Sequence, residues 1–351
     1  MRTATPSPLR FDTGDGRTVY ALCLEVFPRF YGNVYVIEED GRFVLVDTGS
    51  GFEGSNRQLE HGLQSIESSF GLRVRLEDIA CVLVTHAHID HFGGLQFVRQ
   101  KTPAPVGIHP LDWRVLSHYE ERVIVASKQL AVFLRRAGVG VERQERLMQM
   151  YLAPKARFRS LPAEFLLEEG RQPTFEGPDG VTVALDLEVI HAPGHCPGQV
   201  CLRAGEVLLC ADHVLARTTP HQAPESITLH TGLSHYFESL ERVSSAATAR
   251  GIRVALGGHE EPIEDLPTRV DEIRASHDRR LARVLDLCKE PRTIAEISRE
   301  LFDRVRGYDV LLALEEAGAH VEYLYQRGGL VAANLEQIAR EPEPAVRYVR
   351  P

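Results

Sequence analysis

No stretch of eighteen or more consecutive apolar residues occurs in this chain of 351 residues, so it offers no segment of the length a membrane-spanning helix needs. The opening residues, Met1 to Thr13, have neither an apolar run nor a small-residue cleavage pattern, and the expectation is a cytoplasmic protein with no membrane attachment. Cysteine is sparse and scattered. Cys23, Cys81, Cys196, Cys201, Cys210 and Cys288 include no CxxC pair and no compact framework, which argues against a zinc ribbon or a disulfide scaffold. Their apolar, strand-like contexts read as small buried hydrophobes. Positive charge is also lacking: the formal net charge is −9, so the chain as a whole has no electrostatic footprint for nucleic acid. Internal repeats are absent, and the one biased segment is a charged, proline-containing tail from Arg340.

What remains is an ordinary globular composition, 43% hydrophobic and 25% charged, in a chain longer than one core usually reaches. Two domains, or one large domain with an appendage, are expected. Val19 to Asp47 reads as strand pairs around the polar turn Glu38 to Gly41. Asn56 to Gly71 has helical spacing in Leu59, Leu63, Ile66 and Phe70, and Ile79 to Val84 is a nearly all-apolar strand suited to burial on both faces. Residues 113–154 look like a largely helical insertion, with helices over Ala126 to Ala137 and Val141 to Tyr151, able either to pack in the core or to cover an active site. Strands return at Val181 to Ile190, Val200 to Arg203, Val207 to Cys210 and Ile252 to Leu256, with a helix at Ser234 to Arg250. Beyond Pro262 the pattern is helical over Pro267 to Cys288, Thr293 to Phe302 and Tyr308 to Arg327, then a Gly-Gly turn and a short apolar run. Helix, helix, helix and hairpin suggest a winged-helix-like unit. The expected domains are therefore 1–263 and 264–351.

The strongest chemical signal is the ten-residue segment THAHIDHFGG from Thr85 to Gly94, placed directly after the buried strand and hence on a loop at its C-terminal edge. Four candidate ligands lie within six residues: His86, His88, Asp90 and His91. Imidazole and carboxylate together suit a divalent zinc, iron or manganese ion, and one ion could not easily use all four from so short a loop. Two adjacent ions account for the crowding.

His86, His88, Asp90 and His91 resemble the HxHxDH signature of the metallo-β-lactamase superfamily. His195 in the APGHCPG segment resembles that family's next ligand loop, Asp212 its bridging carboxylate, and His259 in GGHE its last histidine. Cys196 departs from the threonine usual there, which bears on the loop's hydrogen bonding. Asp47, in an Asp-Thr-Gly motif, resembles the family carboxylate that orients the metal site from behind a ligand. The resemblance runs from about Asn33 to Pro262. It implies an α/β fold, a four-layer αββα sandwich with a helical C-terminal appendage. It further implies that His86, His88 and His195 hold one ion, Asp90, His91 and His259 the other, and Asp212 bridges them. Water between two cations is acidified from a pKa of about 15.7 toward about 7, which supplies hydroxide at neutral pH. Asp90 is the group expected to accept or return a proton. His191 and His213 have no place in this pattern, and Cys210 is set aside because Asp212 occupies the matching position.

Fold does not fix substrate. Ester-type hydrolysis, above all of a thioester or related acyl conjugate as in the glyoxalase II-like branch, is the leading expectation, and the small-molecule acyl substrate is the expected partner. An endoribonuclease is the alternative, because some lactamase-like nucleases end in a winged helix. Against it, Glu264 to Pro351 contains 14 Lys and Arg against 17 Asp and Glu. The interval from His195 to His259 is also too short for the inserted domain of the processing nucleases. Lactone and β-lactam hydrolysis follow, and a non-catalytic or redox role is disfavoured because redox members of the family place an acidic residue where His88 stands. The helices leave room for a homo-oligomeric interface.

Overall fold

The computed structural model describes residues 6–177 and 179–351. Contacts group the chain into two compact units that interleave along the sequence. One comprises the chain up to His118 with Ser160–Pro220 and Ser239–Val270; the other comprises Tyr119–Arg159, His221–Glu238 and Asp271–Pro351.

The first unit is built on two sheets. Strands β1 (Leu9–Asp12), β2 (Thr18–Phe27), β3 (Phe30–Glu39), β4 (Arg42–Val46), β5 (Ile79–Val84), β6 (Val106–Ile108) and β7 (Phe165–Leu166) lie in sequence order, antiparallel as far as β4 and parallel from there. A two-residue turn joins β3 to β4, in which Asp40 and Gly41 both have positive φ, the pairing that matches strand twist in a tight hairpin. After the small ribbon β8 (Thr174–Glu176) and β9 (Thr182–Ala184), strands β10 (Glu188–His191), β11 (Val200–Ala204), β12 (Val207–Ala211) and β13 (Val254–Gly257) form the second sheet. The two sheets share one core: Val19, Ile37, Val44, Val46 and Leu83 from the first sheet join Val189, Leu202, Leu209 and Leu256 from the second. The long helix α1 (Glu53–Phe70) buries Leu59, Leu63 and Ile66 and packs on β2, and it stops where Gly71 turns left-handed. Short helices α2 (Ile89–Phe92), α3 (Leu95–Val98) and α4 (Pro110–Ser117) follow β5 and β6.

The expected segment 181–190 is two strands rather than one, because the chain changes pairing partner at Leu185 to Leu187: β9 pairs with β8 and β10 with β11. Edge strand β1 was not foreseen, since its Leu9 to Asp12 run is mostly exposed and lacks an apolar face.

The second unit contains α5 (Tyr119–Arg136) and α6 (Val141–Lys155), so the expected helix from Ala126 starts seven residues earlier. Helix α7 (Leu233–Ala249) crosses a chain boundary between the units. Helices α8 (Leu266–Leu287), α9 (Ile294–Leu301) and α10 (Asp309–Gln326) match the expected trio, and β14 (Val331–Ala332) pairs with β15 (Tyr348–Val349) around α11 (Leu335–Arg340). A reciprocal cap starts α9: Thr293 Oγ1 accepts from the Glu296 amide, and the Glu296 carboxylate accepts from the Thr293 amide. Among the described residues, no helix is long and apolar enough to cross a membrane.

Candidate metal centre

Parallel strands β4 and β5 end side by side, so the loops that follow them emerge together, the first carrying Asp47 and the second His86, His88, Asp90 and His91. Asp47 has φ of +62°, a left-handed conformation that aspartate tolerates better than most residues. That turn aims its carboxylate across at the second loop. Oδ1 accepts from the Thr85 amide and Oδ2 from the Thr85 hydroxyl, each at 2.8 Å, and Oδ2 also lies 2.8 Å from His91 Nδ1. The Gly-Gly pair closing the motif has a steric reason, since a Cβ on Gly94 would overlap the Thr48 carbonyl.

All seven expected donors come together, in two groups. His86 Nε2 lies 3.0 Å from His88 Nδ1, and His195 Nε2 lies 2.9 Å from the same atom, so three imidazole nitrogens converge. In the second group, Asp90, His91, Asp212 and His259 converge: His259 Nε2 is 3.4 Å from Asp90 Oδ2 and 3.3 Å from Asp212 Oδ2. Asp212 reaches both groups, with Oδ2 also 3.7 Å from His195 Nε2 and 4.0 Å from His86 Nε2. His259 Nδ1 donates to the Tyr31 carbonyl at 2.6 Å, which leaves its Nε2 directed at the carboxylates. Gly258 is required here, because a Cβ would overlap the Asp212 carboxylate and the His91 ring.

Burial and neighbouring charge set the protonation of these groups. Burial, reinforced by the surrounding imidazoles, pushes His86 well down and His88 down to about 3, so both present free lone pairs. In the other group burial is overcome by opposite charge. His91, facing Asp212, Asp47 and Asp90, is raised well above the usual histidine range, and His259 is raised to about 10 by Asp212 and Asp90. Reciprocally, Asp90 is drawn down to about 2 and Asp212 well below the usual carboxylate range, despite burial, by His91 and His259. His91 Nε2 and Asp212 Oδ1 are buried without a hydrogen-bond partner although only 3.4 Å apart. Two neutral imidazoles beside a third, and two carboxylates with two imidazoles, are donor sets that a divalent cation fits.

One residue that sequence reasoning missed ties the ligand loops together. Asp112, fully buried at the start of α4, accepts from the Ala87 amide and the Gly198 amide, both at 2.8 Å, and from the Cys196 thiol at 3.2 Å. The expected doubt over Cys196 is thereby answered, since its S–H donates out of the loop to the Asp112 carboxylate. Nothing in the local sequence HPLDW marks Asp112, because the bonds are made to segments 25 and 86 residues away. His191 stacks on His109 with ring centroids 4.0 Å apart and bonds the Pro197 carbonyl, outside both donor groups. His213 is buried and pushed down to about 3, and Cys210 lies within β12 with its thiol toward the Leu208 carbonyl; neither joins the donors. Phe30, 46% exposed at the β2–β3 hairpin, lies over His259 at 4.5 Å and beside Phe27, which meets Phe52 edge-on.

Residues 27–259 match the model of the metallo-β-lactamase superfamily. The chain is 24% identical over 303 residues to the probable metallo-hydrolase YqjP of Bacillus subtilis, covering 83% of this chain and 86% of that protein. Among solved structures it resembles metallo-β-lactamase family protein TTHA1429 of Thermus thermophilus, with 28% identity, a TM-score of 0.71, and 95% and 98% of the two chains covered. A β-lactamase domain protein from Burkholderia ambifaria shares the fold at 23% identity and a TM-score of 0.67, over 100% and 97% of the chains. With the family model covering the loops that bear all seven of these residues, the chain belongs to the metallo-β-lactamase superfamily.

Proposed function

We propose that this protein is a binuclear metal-dependent hydrolase of ester-type bonds, with an acyl thioester or related acyl conjugate as substrate. The observation that carries this reading is the position of Asp212, whose Oδ2 lies within 4.0 Å of nitrogens from both donor groups. His86, His88 and His195 would hold one divalent ion, Asp90, His91 and His259 the second, and Asp212 both. Zinc suits these ligands, and iron or manganese is compatible with them. Ions bound there supply Lewis acidity and an acidified water as nucleophile.

The chain's own groups do the rest. Asp90 is the carboxylate placed to move a proton: its side chain is 16% exposed against 10% for Asp212 and 2% for Asp47, so it faces the open side of the cluster. As a carboxylate at that edge, it can accept a proton from the attacking water and return it to the departing thiolate. Asp47 and the Tyr31 carbonyl hold the tautomers of His91 and His259, and Asp112 fixes the spacing of the two ligand loops. The exposed ring of Phe30 beside His259 favours an apolar acyl group over a phosphodiester at that edge.

The test is metal analysis of the purified protein joined to a hydrolysis panel of acyl thioesters, lactones, phosphodiesters and single-stranded RNA, with Asp90→Ala as control. Thioester turnover that needs metal and is lost in Asp90→Ala is expected. RNA cleavage without thioester turnover would overturn the substrate class, and activity in fully chelated protein would overturn the mechanism.

A further inference from the structure

A second cluster of donors lies in the helical unit and takes no part in the site just described. Helix α10 places Glu316 and His320 four residues apart on one face, and α8 brings His277 against them. Both histidines are wholly buried and Glu316 is nearly so. His320 Nδ1 lies 2.7 Å from the main-chain carbonyl of Glu316, so this nitrogen bears the proton and Nε2 presents a lone pair. That lone pair faces His277 Nδ1 at 3.2 Å. The Glu316 Oε1 atom is 3.7 Å from the same His277 nitrogen.

His277 then has two choices. With its proton on Nδ1 it donates to His320 Nε2; its own Nε2 is buried without a hydrogen-bond partner in either tautomer, and its ring stands edge-on to those of Tyr236 and Phe237. With its proton on Nε2, two imidazole lone pairs converge at 3.2 Å, an arrangement that a cation between them satisfies. The nitrogen spacing resembles that among His86, His88 and His195, and two nitrogens bound to zinc at about 2.0–2.1 Å stand close to this separation in a tetrahedral site. The hydrogen bond from His320 Nδ1 to a carbonyl is the support that metal-bound imidazole ordinarily has.

We propose that His277 Nδ1, His320 Nε2 and the Glu316 carboxylate form a structural site for one zinc-class divalent cation, stapling α8 to α10. The other groups around the carboxylate are Arg280 Nη1, 3.2 Å from Oε1, His221 Nδ1, 3.6 Å from Oε2, and the Gln222 amide, which donates to Oε2 at 2.8 Å. Arg280 opposes a cation electrostatically, so this site binds more weakly than the seven-donor centre. The inference does not rest on the proposed activity.

Full-length protein stripped with chelator, saturated with zinc chloride and passed through gel filtration is assayed for bound zinc beside His277→Gln and His320→Gln. Each folded variant is expected to hold one zinc equivalent fewer than the wild type, and equal zinc content overturns the site. A variant that need not disturb the core gives a second reading: the Arg280 side chain is 26% exposed. In Arg280→Gln the weakest class of zinc is expected to bind several-fold more tightly in chelator competition, and an unchanged affinity overturns the assignment. Because both readouts are zinc binding rather than turnover, failure here leaves the hydrolase reading to its own test.

Discussion

Asp47 Oδ2 lies 2.8 Å from His91 Nδ1, and both side chains are 2% exposed, so the carboxylate fixes which imidazole nitrogen faces Asp212. An orienting carboxylate of this kind contributes about 10–100-fold to metal affinity. Asp47→Asn keeps an oxygen for the Thr85 amide but removes the charge that holds His91 in place. Zinc competition with a chromophoric chelator should show affinity at the seven-donor centre falling by about that factor. Undiminished affinity would mean that His91 is held by backbone alone.

Asp112 joins two loops by accepting amides from each, and burial raises its own carboxyl above the usual range. In Asp112→Ala the Ala87 and Gly198 amides lose their acceptor inside the protein, at about 1–3 kcal/mol for each buried donor left unsatisfied. The expected result is a lower urea midpoint together with reduced zinc content, because the loops bearing His86, His88 and His195 are no longer fixed to one another. A stability loss with full zinc content would show that the clamp serves packing only.

The paired end of strand β13 sets a steric limit on the site. Gly258 donates its amide to the Ala211 carbonyl at 2.7 Å, next to Asp212, and a Cβ there would overlap the Asp212 carboxylate. Gly258→Ala should expel metal while lowering stability by about 1–3 kcal/mol, the ordinary range for overpacking. Metal analysis and thermal unfolding of one preparation check both halves, and a variant with wild-type zinc content would contradict the geometry.

The convergence of seven histidines and aspartates was legible because metal binding calls for particular residue types, and their order along the chain survives without any knowledge of distances. Strands such as Ile79 to Val84 were equally legible, since burial on both faces leaves a continuous apolar run. Asp112 was not, because a buried carboxylate that accepts amides from distant loops looks in sequence like any helix-start aspartate. The strand break at Leu185 to Leu187 was hidden for a similar reason: Leu185 and Leu187 both enter the core, so hydrophobicity continues while the pairing partner changes. Nor does sequence order reveal that residues 119–159 group with the chain after Asp271. The buried trio His277, Glu316 and His320 needed the structure as well, since its members come from two helices 39 residues apart at their nearest donors and fit no compact spacing.

Protons held differently by the folded and unfolded chain predict a stability maximum for chelated protein at about pH 6–7. His109, stacked on His191, and His277, facing His320, Glu316, Arg280 and Arg274, are both pushed down to about 3 by burial. An unfolded histidine titrates near 6.5, so below that pH the unfolded chain binds protons that the folded chain refuses, and stability falls as pH drops. Between pH 6.5 and 5 the loss is at most about 2 kcal/mol per histidine. His259 has the opposite sign: raised to about 10, it contributes stability that is complete below pH 6.5 and is lost as pH climbs through 10. Urea midpoints measured from pH 5 to 10 should therefore fall on both sides of neutrality, with His277→Gln flattening the acid limb alone. A midpoint that stays level down to pH 5 would show that the buried imidazoles find protons without unfolding.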